Sequence, residues 1–165
     1  MDKWDYAHMK AADNYSQLSS ARRAKVGCVI VKDNRIISIG YNGMPTGWDN
    51  CCEDREYMSI DAGGWLDPET IVEQWPYEDE QGERYSLKTK PQVLHAESNA
   101  IAKVARSSEN CEDATIYCTM MPCLDCAKLI YQAGIRRVVY RDEYPKGTKG
   151  LEFLDRCNIK SERIE

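Results

Sequence analysis

Two cysteines three residues apart, Cys123 and Cys126, follow a proline in the stretch 121–129, MPCLDCAKL. On a helix that begins here, residues i and i+3 share one face. In a first helical turn the free N–H groups and the helix dipole favour the thiolate, the form that binds metal. Zinc takes thiolate sulfur and imidazole nitrogen in a tetrahedron. The chain has only two histidines, His8 and His95, and His95 opens HAES, with Glu97 two residues on. His95, Cys123 and Cys126 supply three ligands and leave a fourth position for water, the pattern of a catalytic zinc site. Zinc lowers the pKa of such a water to about 7. Glu97 is then the acid–base group that carries its proton. A lone C-x-x-C is as often a pair of packed thiols. The upstream HAE and the proline in register favour zinc. His8 has no partner motif and reads as an ordinary surface or packed histidine.

These residues need elements to hold them. Residues 3–18 place Trp4, Ala7, Ala11, Tyr15 and Leu18 at helical spacing, ending near Ser19 and Ser20. The basic connector ARRAK follows. Residues 26–43 read as a β-hairpin turning at Asp33 and Asn34 and closing in the cluster Gly40–Gly43. Residues 44–92 have no sustained period, which predicts an irregular insertion at about 51–91 within one domain spanning 1–165, with a short helix near 68–74. HAESNAIAKVARS reads as a helix, ATIYCTM as a buried strand, CLDCAKLIYQAG as a helix from Pro122 to Gly134, and RRVVYR as a strand. Strand, helix, strand at this spacing is a βαβ unit with parallel strands. LEFLDRCNI reads as a last helix before a strand-like tail.

Composition limits the partners. At 165 residues the chain can bury a core without disulfides, and its net charge of −5 argues against a nucleic-acid-binding surface. The sequence contains no apolar run long enough to span a membrane and no signal-peptide core. Eight cysteines in that context imply reduced thiols and a cytoplasmic setting. Cys28, Cys118 and Cys157 lie in or beside apolar runs and read as core, while Cys111 lies in a polar stretch. Cys51 and Cys52 are adjacent and rarely could share one tetrahedral zinc, but either could join a second metal site.

The chain resembles the deoxynucleotide branch of the cytidine and deoxycytidylate deaminase superfamily. H-x-E followed by P-C-x-x-C marks the zinc-dependent base deaminases as a whole. GYNGMPTG together with CAKLIYQAGIRRVVY selects the branch. The resemblance implies an α/β fold: three-layer α/β/α with a five-stranded mixed sheet. It implies hydrolytic deamination of dCMP to dUMP, which supplies dTTP synthesis. It also implies a homo-oligomer, commonly a hexamer, activated by dCTP and inhibited by dTTP, with Mg2+ accompanying the triphosphate. By position, Asn42 meets the deoxyribose or the nucleotide frame, and the Ala96 N–H meets the pyrimidine O2. Arg22, Arg23 and Lys25 are the phosphate candidates, and Gly40, Tyr41 and Gly43 the effector candidates. Methionines precede Pro122 where a smaller polar residue is common, so the wall near the leaving amine is expected to differ.

Three readings compete at this point. One is deamination of dCMP or another cytosine deoxynucleotide such as dCTP. A second is a nucleic-acid-editing deaminase, which needs a cationic groove and stacking aromatics; Trp48, Trp65 and Trp75 speak for it, and the net charge against it. The third is a zinc-stabilised nucleotide sensor without turnover, which would have no use for Glu97.

Overall fold

The computed structural model describes residues 1–59 and 65–165. Its centre is a five-stranded sheet of β1 (Gly27–Lys32), β2 (Arg35–Tyr41), β6 (Thr115–Met120), β7 (Arg137–Asp142) and β8 (Lys160–Arg163), in the order β2-β1-β6-β7-β8. β1 runs antiparallel to β2 and β6, while β6, β7 and β8 are mutually parallel, so the sheet is mixed. The hairpin turn places Asp33 and Asn34 at φ of 51° and 55°. Two consecutive positive φ values match the right-handed twist of the strands, and Asn and Asp tolerate them best after glycine.

Alternation along the strands builds two cores. Val29, Val31, Tyr117 and Val139 face α1 (Lys3–Ser16), which buries Met9 and Ala12 against them. Cys28, Ile30, Ile116, Cys118 and Val138 face the other way. They pack on Ala96 and Ala100 of α3 (Ala96–Val104), Ala127 and Ile130 of α4 (Leu124–Gln132), and Leu154 of α5 (Lys149–Arg156). The result is the three-layer α/β/α arrangement expected of the sequence. Among the described residues, no helix is long and apolar enough to cross a membrane.

Helix α1 starts at a capping box, in which Asp2 accepts from the Trp4 and Asp5 amides and Asp5 answers at the Asp2 amide. It ends at Ser16, two residues short of the reading from periodicity, and Ser16 turns its hydroxyl back to the Asp13 carbonyl. Helix α4 closes as read: Gly134 follows the C-cap at φ 82°, where a side chain would be strained.

The reading of 51–91 as irregular does not hold. β3 (Glu53–Tyr57), β5 (Arg84–Thr89) and β4 (Tyr77–Glu78) form a second, antiparallel sheet in the order β3-β5-β4, and α2 (Pro68–Gln74) falls where a short helix was expected. This sheet buries little: Glu53, Tyr85 and Leu87 are its only buried residues. Such sparse burial leaves almost no alternation to read.

Candidate active site

The two helices that carry the motifs both begin at a motif residue. His95 is the N-cap of α3 and Cys123 the N-cap of α4, both in extended backbone, and Cys126 sits one turn into α4. α3 reaches the sheet closely at Gly40, where an added Cβ would collide with the Ala96 carbonyl. Gly150 does the same for the ligand loop, since any side chain there would strike the Pro122 carbonyl. Close packing of backbone on backbone thus fixes both helix starts.

His95 Nδ1 lies 3.6 Å from Cys123 Sγ and 3.4 Å from Cys126 Sγ. Two ligands on a tetrahedral zinc, with bonds of roughly 2.3 Å to sulfur and 2.0 Å to nitrogen, stand about 3.5 Å apart. The three side chains therefore fit zinc. Among the described residues they are the one group of three or more His, Cys, Asp or Glu whose ligand atoms converge. The protonation pattern fits as well. Cys123 is drawn down to about 4, first by a hydrogen bond from the Cys126 thiol and then by His95. Cys126 is pushed far up by that same hydrogen bond and by burial. One of the two thiols thus ionises readily and the second does not, so a pair of thiolates calls for a cation beside them.

Glu97 is 4% exposed, on the first turn of α3. Burial raises its pKa, and the neighbouring Cys126 thiol is within hydrogen-bonding reach. The Ala96 N–H is one of the first-turn amides that an α-helix leaves without an internal partner.

Around these groups lies a cavity at the carboxyl ends of β6 and β7, the usual ligand position in a sheet with parallel strands. His95, Ala96, Glu97 and Cys123 form its floor, and Met120 and Met121 an apolar wall. Asn42 lines it too. Its amide clasps the connector, with Oδ1 accepting from the Val26 N–H at 2.8 Å and Nδ2 donating to the Ala24 carbonyl at 2.9 Å. One N–H of that amide remains for a ligand.

The phosphate candidates separate. Arg23 lines the cavity and donates to Thr89 Oγ1 at 3.1 Å. Arg22 and Lys25 do not line it. Arg22 instead lies over the Tyr77 ring, 5.4 Å from its centroid, a cation–π contact that the second sheet provides. The sequence reading missed four polar lining residues: Glu53, Thr89, Tyr144 and Lys146. Tyr144 and Lys146 follow β7, and the rule that ligands sit beyond parallel strand ends could have found them. Glu53 and Thr89 belong to the second sheet and carried no motif.

Gly40, Tyr41 and Gly43 stand outside the cavity lining. The Tyr41 carbonyl accepts from Asn99 Nδ2 at 2.8 Å, and its ring lies under the Lys103 ammonium. Cys52 is buried with Ala21 and Val93, and Cys51 is exposed. Neither belongs to a converging ligand group among the described residues. His8 is packed, with Nε2 3.1 Å from Asn34 Oδ1 and its ring against Tyr117. Cys111, from a polar stretch, is buried in the main core with Cys28 and Cys118.

Residues 2–142 match the sequence profile of the cytidine and deoxycytidylate deaminase zinc-binding region, and the chain belongs to that family. Within it, the chain is 38% identical over 155 residues to the deoxycytidylate deaminase of Enterobacteria phage T4, covering 84% of this chain and 78% of that protein. It is 33% identical to the deoxycytidylate deaminase of Schizosaccharomyces pombe over 160 residues, 95% of this chain and 42% of that one. The dCMP deaminase of cyanophage S-TIM5, solved in complex with dCMP and dUMP, superposes with a TM-score of 0.75 at 36% identity, covering 99% of both chains.

Proposed function

We propose that this protein hydrolyses dCMP to dUMP and ammonia. The observation that carries the reading is a buried Glu97 beside a convergent His95–Cys123–Cys126 triad, at the floor of a cavity with cationic groups at its rim. His95, Cys123 and Cys126 hold zinc, which supplies Lewis acidity that makes water nucleophilic near neutral pH. The Ala96 N–H donates to the pyrimidine O2 and orients the ring. Glu97 takes a proton from the attacking water and delivers it to ring N3. It then moves the second proton to the departing 4-amino group, so that water and dCMP become dUMP and ammonia. Met120 and Met121 keep bulk water from the leaving amine. Arg23 and Lys146 receive the phosphate dianion, and the remaining Asn42 N–H meets the sugar. The likeness to the S-TIM5 enzyme, which binds dCMP and dUMP, supports the choice of substrate.

The regulatory part of the proposal assigns Gly40, Tyr41 and Gly43 to an effector site. There dCTP, carried with Mg2+, activates and dTTP inhibits, within a symmetric homohexamer. Its support is the position of that turn directly against the segment leading into His95.

Ammonia release from cytidine, CMP, dCMP and dCTP is the test. The proposal expects dCMP to give the highest kcat/KM by at least tenfold. A higher kcat/KM on cytidine or on dCTP than on dCMP would replace the assigned substrate.

A further inference from the structure

Glu53 opens β3 at the cavity wall and is 7% exposed. Its Oε1 accepts two backbone amides of the connector, Arg22 N–H at 2.9 Å and Arg23 N–H at 3.2 Å. A carboxylate holding two amides in this way keeps its orientation. Among the described residues the only buried side-chain oxygen or nitrogen without a partner is Ser161 Oγ, and no protein hydrogen bond engages Glu53 Oε2. Oε2 is therefore an acceptor that the cavity reaches.

A fixed anion in a nucleotide pocket needs a donor from the ligand. In a deoxynucleoside monophosphate the base faces the metal triad and Glu97, and the phosphate is itself an anion that repels Glu53. Once the 5′ position is esterified, deoxyribose has one hydroxyl left, at 3′. We infer that Glu53 Oε2 accepts the hydrogen bond of the sugar 3′-hydroxyl and makes that hydroxyl a requirement for good substrates. The inference rests on the dCMP reading above. It gives the second sheet a function: the pair Glu53 and Thr89, opposite each other in the β3–β5 register, reads the sugar with one residue and steadies Arg23 with the other.

The test compares dCMP with 2′,3′-dideoxycytidine monophosphate on wild-type protein and on Glu53→Gln. Gln keeps an acceptor for the two connector amides but puts an NH2 where Oε2 was. Wild type is expected to favour dCMP by about 10- to 100-fold in kcat/KM, the size of one hydrogen bond to a charged group. In Glu53→Gln that ratio falls to within about threefold. A purely structural role would lower both substrates together and leave the ratio unchanged, which would overturn the assignment. So would a wild-type enzyme that handles the two substrates equally, whether or not the variant folds. A wild-type protein that releases no ammonia from dCMP would instead overturn the deaminase reading, and this inference with it.

Discussion

Gly43 and Leu94 exchange both backbone hydrogen bonds, Gly43 N–H to the Leu94 carbonyl at 3.1 Å and Leu94 N–H to the Gly43 carbonyl at 2.9 Å. The turn after β2 is thereby fastened to the residue immediately before His95. A ligand that moved this turn would move the imidazole. Opposite effects of two triphosphates require that each prefer a different arrangement, because equal affinity for both shifts nothing. Coupling of this kind changes apparent affinity by about 5- to 150-fold. The expected result is a dCMP saturation curve that is sigmoidal alone, hyperbolic with dCTP and Mg2+, and displaced to higher dCMP with dTTP. Three superimposable curves would remove the effector role of this turn and leave the zinc chemistry in place.

Glu97→Gln preserves the shape of the side chain and one acceptor but cannot carry a proton. Turnover of dCMP should fall at least 10²-fold, and further because one residue serves successive transfers. Zinc content and dCMP binding should persist, as measured by elemental analysis and calorimetry. Activity within tenfold of wild type would exclude Glu97 as the proton carrier.

Arg23 and Arg22 are neighbours with different surroundings. Arg23→Ala and Lys146→Ala should each lower kcat/KM for dCMP by about 10- to 150-fold, the scale of one charge-assisted hydrogen bond to phosphate. The slow rate on deoxycytidine should stay near wild type in both. Arg22→Ala should cost dCMP less than threefold, because its guanidinium lies over Tyr77 and away from the cavity. Equal losses from the two arginine variants would contradict this division.

That division also marks how far the sequence can be read. The central sheet and its hairpin were legible because the strands alternate or are continuously apolar, and the turns around them carry Asp33, Asn34 and Gly134. The metal triad was legible because each half is a short motif at a helix start. Arg22 and Arg23 look alike in ARRAK. What separates them is contact with Thr89 for Arg23 and Tyr77 for Arg22, which come from a distant segment whose strands EDREY and RYSLKT bury few apolar residues. The cavity's far rim, Tyr144 and Lys146, lies just past β7, a strand legible in RRVVYR, and was open to the rule that ligands sit beyond parallel strand ends.

Stability should carry its own pH signature away from the site. Asp5 accepts Arg137 Nη1 at 2.6 Å, Arg137 Nη2 at 3.1 Å and the Tyr117 hydroxyl at 2.8 Å. The Arg137 guanidinium holds the Asp5 carboxyl well below the usual carboxylate range. A depressed folded pKa means that the contribution is complete above the unfolded value of about 3.9 and is lost as pH falls below it. Asp5→Asn should cost about 2–3 kcal/mol at pH 7, since Arg137 keeps Glu162 as a partner. Urea unfolding at pH 7 and at pH 3 should show the gap between wild type and variant narrowing at the lower pH. A gap of constant size would mean that the ion pair is not its source.

The central claim is zinc-dependent deamination of dCMP, and turnover during a zinc titration tests it most directly. Metal-stripped protein is titrated with zinc, and conversion of dCMP to dUMP is followed by ammonia release at each point. The rate should rise in proportion to added zinc and level off at one zinc per chain, with the Cys123→Ser variant remaining inactive throughout. Full zinc loading with no ammonia from dCMP, or full activity in the stripped protein, would contradict the account.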